Sequence, residues 1–110
     1  MERFVKGEIV VFPFPYTNLS ETKKRPALVV AKLKGKNIIL AQITTVKRED
    51  EDLISLSKND FASGFLEHDS FVMPSIITTA EGSSVLYKIG KLRQEKIKEV
   101  EKKLCDIFTR

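Results

Sequence analysis

The sequence predicts a mainly β protein with one C-terminal helix, built as a small barrel or a strongly bent sheet. Three observations lead there. Six or seven short runs rich in β-branched and apolar residues follow one another at close spacing. Turn-forming residues separate them, with no internal repeat or low-complexity stretch. Only the last stretch carries apolar residues at helical spacing. The length of 110 residues suits one domain. Such a chain buries roughly two thirds of the surface its unfolded form exposes, so it needs no disulfide or metal to hold a core.

Taken in order, Glu8-Ile9-Val10-Val11-Phe12 reads as the first strand, with Pro13 and Pro15 punctuating it because proline cannot donate to a ladder. Residues 16–25 have turn chemistry and no period, and read as an exposed loop. Ala27-Leu28-Val29-Val30-Ala31 is apolar throughout, as a buried strand should be. Lys34-Gly35-Lys36-Asn37 turns the chain into the next strand, Ile38 to Thr45, making a hairpin. The run Arg48-Glu49-Asp50-Glu51-Asp52 reads as a solvated loop, a metal site being the alternative. Leu53 to Leu56 is a short strand, and Ser57 caps a helical turn that Gly64 ends. Asp69 to Met73, Ser75 to Thr79 and Ser84 to Gly90 supply further short strands. In the terminal helix Ile97, Val100, Leu104 and Phe108 form an apolar stripe with Ile107 alongside. Glu99 and Lys103 are spaced as an i,i+4 pair on the other face. Arg93 stands where a capping Ser or Asp would be favoured.

Composition narrows the function classes. One Cys and one His leave no material for a zinc site within one chain or for an intrachain disulfide. No apolar run approaches the roughly 20 residues a membrane span needs. The N-terminus lacks a signal-peptide core, so a cytoplasmic, reducing location is expected, which suits a free Cys105. No phosphate-binding glycine loop is present. The net charge is +4, but residues 1–48 hold ten Lys/Arg against three Asp/Glu, while residues 49–69 hold one against seven. A basic first half suits a polyanion such as nucleic acid; an unevenly charged soluble surface is the alternative.

The chemistry concentrates at Arg25-Pro26, which opens a buried strand beside Lys23 and Lys24. Pro26 restricts Arg25 to extended geometry. The guanidinium is planar, permanently charged and able to donate two parallel hydrogen bonds to phosphate. Arg25 could equally be one basic surface residue among nineteen. A Ser-His-Asp reading of His68, Asp69 and Ser70 fails on geometry, because neighbours on a strand point to opposite faces.

Gly7-Glu8-Ile9-Val10, Phe12-Pro13-Phe14-Pro15 and Lys24-Arg25-Pro26-Ala27-Leu28-Val29-Val30 together resemble the MazF/PemK-like toxins of toxin–antitoxin systems. Ala41-Gln42-Ile43-Thr44-Thr45 is similar to the family's second signature, and Asp69-Ser70-Phe71-Val72 and Lys88-Ile89-Gly90-Lys91-Leu92 match a PemK-like subgroup. The resemblance implies an SH3-like barrel over about 7–90, a helix over about 93–108, and one such domain over 1–110. It also implies a homodimer and metal-independent cleavage of single-stranded RNA, with no cofactor. Attack by the 2′-hydroxyl would leave a 2′,3′-cyclic phosphate and a 5′-hydroxyl. By position, Arg25 matches the catalytic arginine and Thr44 the catalytic Ser/Thr, with Thr45 as the alternative from spacing alone. Ser20, Thr22, Lys23, Lys24 and Thr45 are candidate RNA contacts, and Phe14 or Tyr16 could stack on a base. Phe14 could instead be core.

The chain departs from the subgroup where Arg-Pro-Asp-Lys often follows the Asp-Ser-Phe-Val motif. Here Met73-Pro74-Ser75-Ile76 stands there, and Glu81-Gly82 replaces a later Asp-Lys pair. Expected partners are single-stranded RNA and a cognate antitoxin with an acidic flexible segment. The rival expectation is a catalytically weak or inactive module that binds RNA or protein; His68 as a replacement proton donor is a further possibility. A DNA-binding regulator lacks an evident recognition helix.

Overall fold

Apolar residues on both faces of a strand fit it for the middle of a sheet. Ala27–Ala31 takes that place in the computed structural model, which describes residues 3–15 and 21–110. It forms the centre of β2 (Thr22–Lys32), flanked antiparallel by β1 (Glu8–Pro15) and β3 (Asn37–Thr44). The other strands are β4 (Ile54–Leu56), β5 (Phe61–Ser63), β6 (Ser70–Glu81) and β7 (Tyr87–Leu92). Among the described residues one seven-stranded sheet forms, in the order β4-β6-β3-β2-β1-β7-β5. Helix α1 (Gln94–Thr109) ends the chain. No helix is long and apolar enough to cross a membrane among the described residues.

β4 and β5 stand at opposite ends of that order, yet only residues 57–60 join them. The sheet therefore curls until its ends are neighbours. A 3-10 turn, Lys58–Asp60, makes the join. Ser57 N–H donates to Asp60 Oδ2 at 2.8 Å, a capping contact that fixes the turn. Leu56 and Phe61, on either side, enter the same core cluster.

Successive residues alternate faces, so the apolar stretches of β2 and β3 feed two cores. Leu28, Ala41 and Ile43 join Ile9 with Ile97 and Val100 of α1. Ala27, Val29 and Leu40 join Val10, Phe4 and Phe14 on the other face. Gly7 lets α1 lie close: its φ is +98°, and a Cβ there would stand 2.3 Å from Ile97 Cδ1. Buried Glu8 accepts the Val5 N–H at 2.7 Å and pairs with Lys88 at 3.1 Å.

Several local expectations change. β1 runs on through Pro13 and Pro15, because β7 pairs only with Glu8–Val11 and leaves that edge without a ladder to interrupt. Thr22 to Arg25 belong to β2 rather than to a loop. Residues 70–81 form one strand instead of two. Met73 faces Gln42 and Ile77 faces Ala41, so Pro74, Ser75 and Ile76 form a bulge in which a missing N–H is tolerated. Gly64 follows strand β5 rather than the helical turn. The 84–90 strand starts at Tyr87, after a 3-10 turn at Gly82–Ser84.

The helix stripe ends early: Ile97 and Val100 are buried, while Phe108 is 67% exposed. Glu99 pairs with Lys96 at 2.8 Å, and Lys103 reaches Asp52 at 3.6 Å, so the expected Glu99–Lys103 pair does not form. Arg93 precedes α1 without a side-chain cap and instead ties the helix start to the 3-10 turn. Its N–H donates to Asp60 O at 2.8 Å and its Nε to Asn59 O at 2.9 Å. The acidic loop is only partly solvated, because Asp52 docks under the end of α1.

Candidate nucleic-acid interface

The site follows from strand register. In β1 and β2, Phe12 faces Arg25 and Phe14 faces Lys23. In β2 and β3 the last pair is Ala27 with Gln42, and Arg25 and Thr44 each stand two residues beyond it on their own strands. Thr44 then faces Phe71 in β6, and Phe71 faces Ser55 in β4. Two paired rows end here: Phe12 with Arg25 across β1 and β2, and Thr44, Phe71 and Ser55 across β3, β6 and β4. Opposed residues share a face, and neighbouring strands lie about 4.8 Å apart. Arg25 and Thr44 therefore share a face, each two residues past the Ala27–Gln42 pair.

Arg25 is half-buried, and Thr44 is 6% exposed. Thr44 Oγ1 accepts the Val46 N–H at 3.1 Å. A hydroxyl that accepts this bond keeps its own proton for donation. The pair therefore offers a planar cation and a neutral donor on one face, with aromatic residues on both flanks.

The other predicted residues divide by alternation. Lys23 shares the Arg25 face, whereas Thr22 and Lys24 point to the opposite face and are exposed. Thr45 is exposed, immediately after β3. Phe14 belongs to the core: it is 9% exposed, and its ring meets Phe12 edge-on at 4.9 Å. It offers no open ring face, which corrects its expectation as a stacking platform. Tyr16 and Ser20 lie outside the described residues.

Phe12, Gln42 and Phe71 were missed by sequence reasoning. Gln42 had a signal, as a polar residue two positions before Thr44 on an otherwise apolar strand. Phe71 had none, since its place depends on pairing across 27 positions from Thr44. Met73 is 2% exposed opposite Gln42, and Ser75 is exposed in the bulge. Glu81 and Gly82 lie far from Arg25, beside the β2–β3 turn, where Gly82 N–H donates to Lys36 O at 2.9 Å. Ser70 Oγ donates to the His68 carbonyl at 2.8 Å, so those two make no hydroxyl–imidazole pair. Among the described residues no group of three or more His, Cys, Asp or Glu could hold a metal ion.

A curled antiparallel sheet with a terminal helix and a basic face is the architecture of the MazF toxins. An endoribonuclease in complex with its cognate antitoxin from a mycobacterial species superposes with a TM-score of 0.77 at 13% identity, over 96% of this chain and 95% of that one. MazE–MazF from Deinococcus radiodurans gives 0.71 at 18% identity, covering 94% of each chain. The Mycobacterium tuberculosis toxin MazF-mt6 gives 0.70 at 17%, over 92% of this chain and 95% of that one. These likenesses concern the fold. The family model described as PemK-like, MazF-like toxin of type II toxin–antitoxin systems matches residues 5–108, and the chain belongs to that family. No curated protein matches it by sequence.

Proposed function

We propose that this toxin is a metal-independent endoribonuclease that cleaves single-stranded RNA. The observation carrying the reading is that Arg25 and Thr44 share one face of the sheet, each two residues past the Ala27–Gln42 pair. The 2′-hydroxyl of a bound nucleotide attacks the adjacent phosphorus. An O2′–P bond forms, the P–O5′ bond breaks, and the electron pair leaves with O5′. The attacking hydroxyl gives its proton to solvent, and the leaving oxygen takes one up. The products are a 2′,3′-cyclic phosphate and a 5′-hydroxyl.

Arg25 donates to the non-bridging oxygens as charge grows on the phosphorane. Thr44 donates from Oγ1 to the phosphate or to the leaving oxygen. Neither group is a strong acid or base, so positioning and electrostatics carry the rate. The nucleophile is already tethered to its target, which lowers the entropic barrier. Lys23 adds attraction for the backbone phosphates. The working unit is a homodimer in the cytoplasm, held inactive by an antitoxin whose acidic flexible segment competes for the same basic face. A short neighbouring reading frame with a DNA-binding half and an acidic tail would support the pairing.

The test is incubation with RNA in EDTA, beside Arg25→Ala, with analysis of the new ends. Cyclic phosphate ends from the wild type and their loss in the variant support the mechanism. No cleavage by the wild type, or equal cleavage by the variant, would sink it. A second reading, binding without cleavage, is favoured by the buried and uncharged Met73 beside Gln42. It predicts salt-dependent RNA binding with no cyclic ends.

A further inference from the structure

The end of the sheet remote from Arg25 carries a cavity of about 660 Å³. It lies between the β2–β3 turn, the Arg3-Phe4 segment and the 3-10 turn Gly82–Ser84. Its floor is the open end of the second core: Phe4, Ile38 and Val85, with Leu33 beside them, 38% exposed. Its rim carries Arg3, Lys32, Lys34 and Lys36 against one carboxylate, Glu81. None of these four cations takes part in an ion pair among the described residues. The frame is tied down, with Leu33 N–H donating to Asn37 O at 3.0 Å and Gly82 N–H to Lys36 O at 2.9 Å. Gly35, at φ +83°, makes the left-handed step that the turn requires.

We infer that this cavity docks an acidic protein segment carrying an aliphatic anchor side chain. The floor takes the anchor, and the rim takes the carboxylates. The size falls within the roughly 300–1,000 Å³ of ordinary ligand pockets. Single-stranded nucleic acid fits less well, because it binds through open aromatic faces, whereas the exposed apolar side chain of this lining is the aliphatic Leu33, at 38%. Lys32 is seven strand positions from Arg25, about 23 Å at roughly 3.3 Å per residue. A segment docked here leaves the Arg25 face uncovered, and the inference stands whether or not the chain cleaves RNA.

The test uses the full chain and a fluorescein-labelled peptide of about eight residues alternating Glu with Leu. Anisotropy should report binding, and amide resonances of Gly35, Asn37, Gly82 and Val85 should shift. The double variant Lys34→Glu/Lys36→Glu, on exposed turn positions, should weaken binding by about tenfold or more. Replacing Leu by Ser in the peptide should do the same, while Lys98→Glu on α1 should change nothing. An oligoribonucleotide of equal length should not displace the peptide. Absence of binding, equal binding of the Ser peptide or the double variant, shifts confined to the Arg25 end, or displacement by the oligoribonucleotide would each overturn the inference. RNA cleavage by the same double variant is expected to persist, so loss of docking and loss of nuclease activity remain separable.

Discussion

The two sides of this molecule use charge differently. The α1 side holds the ion pairs: every one among the described residues except Lys88–Glu8 involves a residue between 96 and 110. Lys6 and Glu101, and Lys96 with Asp60 and Glu99, stitch the helix to the sheet and the connecting turn. Along β2 and its turn, cations gather with few acids: Lys23, Lys24 and Arg25 at one end, Lys32, Lys34 and Lys36 at the other. The uneven charge of the sequence thus survives folding as an uneven surface. The α1 side joins charges of opposite sign, whereas the β2 side concentrates charges of one sign. Substitutions on the two sides should therefore separate stability from function.

The sharpest break is Arg25→Ala. Losing a donor to developing phosphorane charge should reduce cleavage by about 10²–10³-fold. The melting temperature should stay near that of the wild type, read by circular dichroism beside the cleavage assay. A fall in cleavage that merely tracks lost folded protein would erase the separation. Gly90→Ala should do the reverse. A Cβ there would stand 2.3 Å from Ser63 O, a backbone atom that cannot move without shifting β5. The expected cost is about 1–3 kcal/mol in urea unfolding. Cleavage per folded molecule should be unchanged.

Thr44→Val sharpens the comparison further, because Thr44 serves both sides of it. The substitution keeps the shape but removes the acceptor for the Val46 N–H. Stability should fall by about 0.5–1.5 kcal/mol. Cleavage should fall by about 10²-fold, the low end of what one neutral donor contributes. Thr44→Ser should restore both. Restored stability without restored cleavage would remove Thr44 from the chemistry.

Local pattern made some of this legible and left the rest dark. The β2–β3 hairpin and α1 could be read because each is specified within a few residues, by apolar runs around Gly35 and by helical spacing. Arg25 could be singled out only through the motif it shares with the toxin family, since Pro26 alone left it one basic residue among nineteen. The continuity of β6 could not, since a bulge absorbs Pro74 where a flat strand would break. Nor could β1 beyond Phe12, where tolerance of Pro13 and Pro15 depends on how far β7 extends. The flanking residues of the site are set by pairing between distant segments, which no local period encodes. Phe108 misled the helix reading because the stripe's buried part ends with partly buried Leu104 and Ile107.

The smallest effect belongs to the paired side and is a matter of pH. Asp52 is 17% exposed, with its carboxylate under the end of α1. Arg110 donates to it at 2.8 Å, and Lys103 lies at 3.6 Å. The hydrogen bond from Arg110 holds the Asp52 carboxyl below the usual carboxylate range, against the opposing cost of partial burial, and the charges of Arg110 and Lys103 add to the effect. A carboxyl whose folded pKa is lowered stabilises the fold above its unfolded value, and that contribution fades as pH falls through the folded one. The pair should therefore contribute fully at neutral pH and weaken only below about pH 4. Asp52→Asn should lower the melting temperature slightly at pH 7, and the gap from the wild type should close toward pH 3. Cleavage at pH 7 should not change, since Asp52 belongs to the α1 side. A gap that persists unchanged to pH 3 would mean that the substitution acts through local packing rather than through charge.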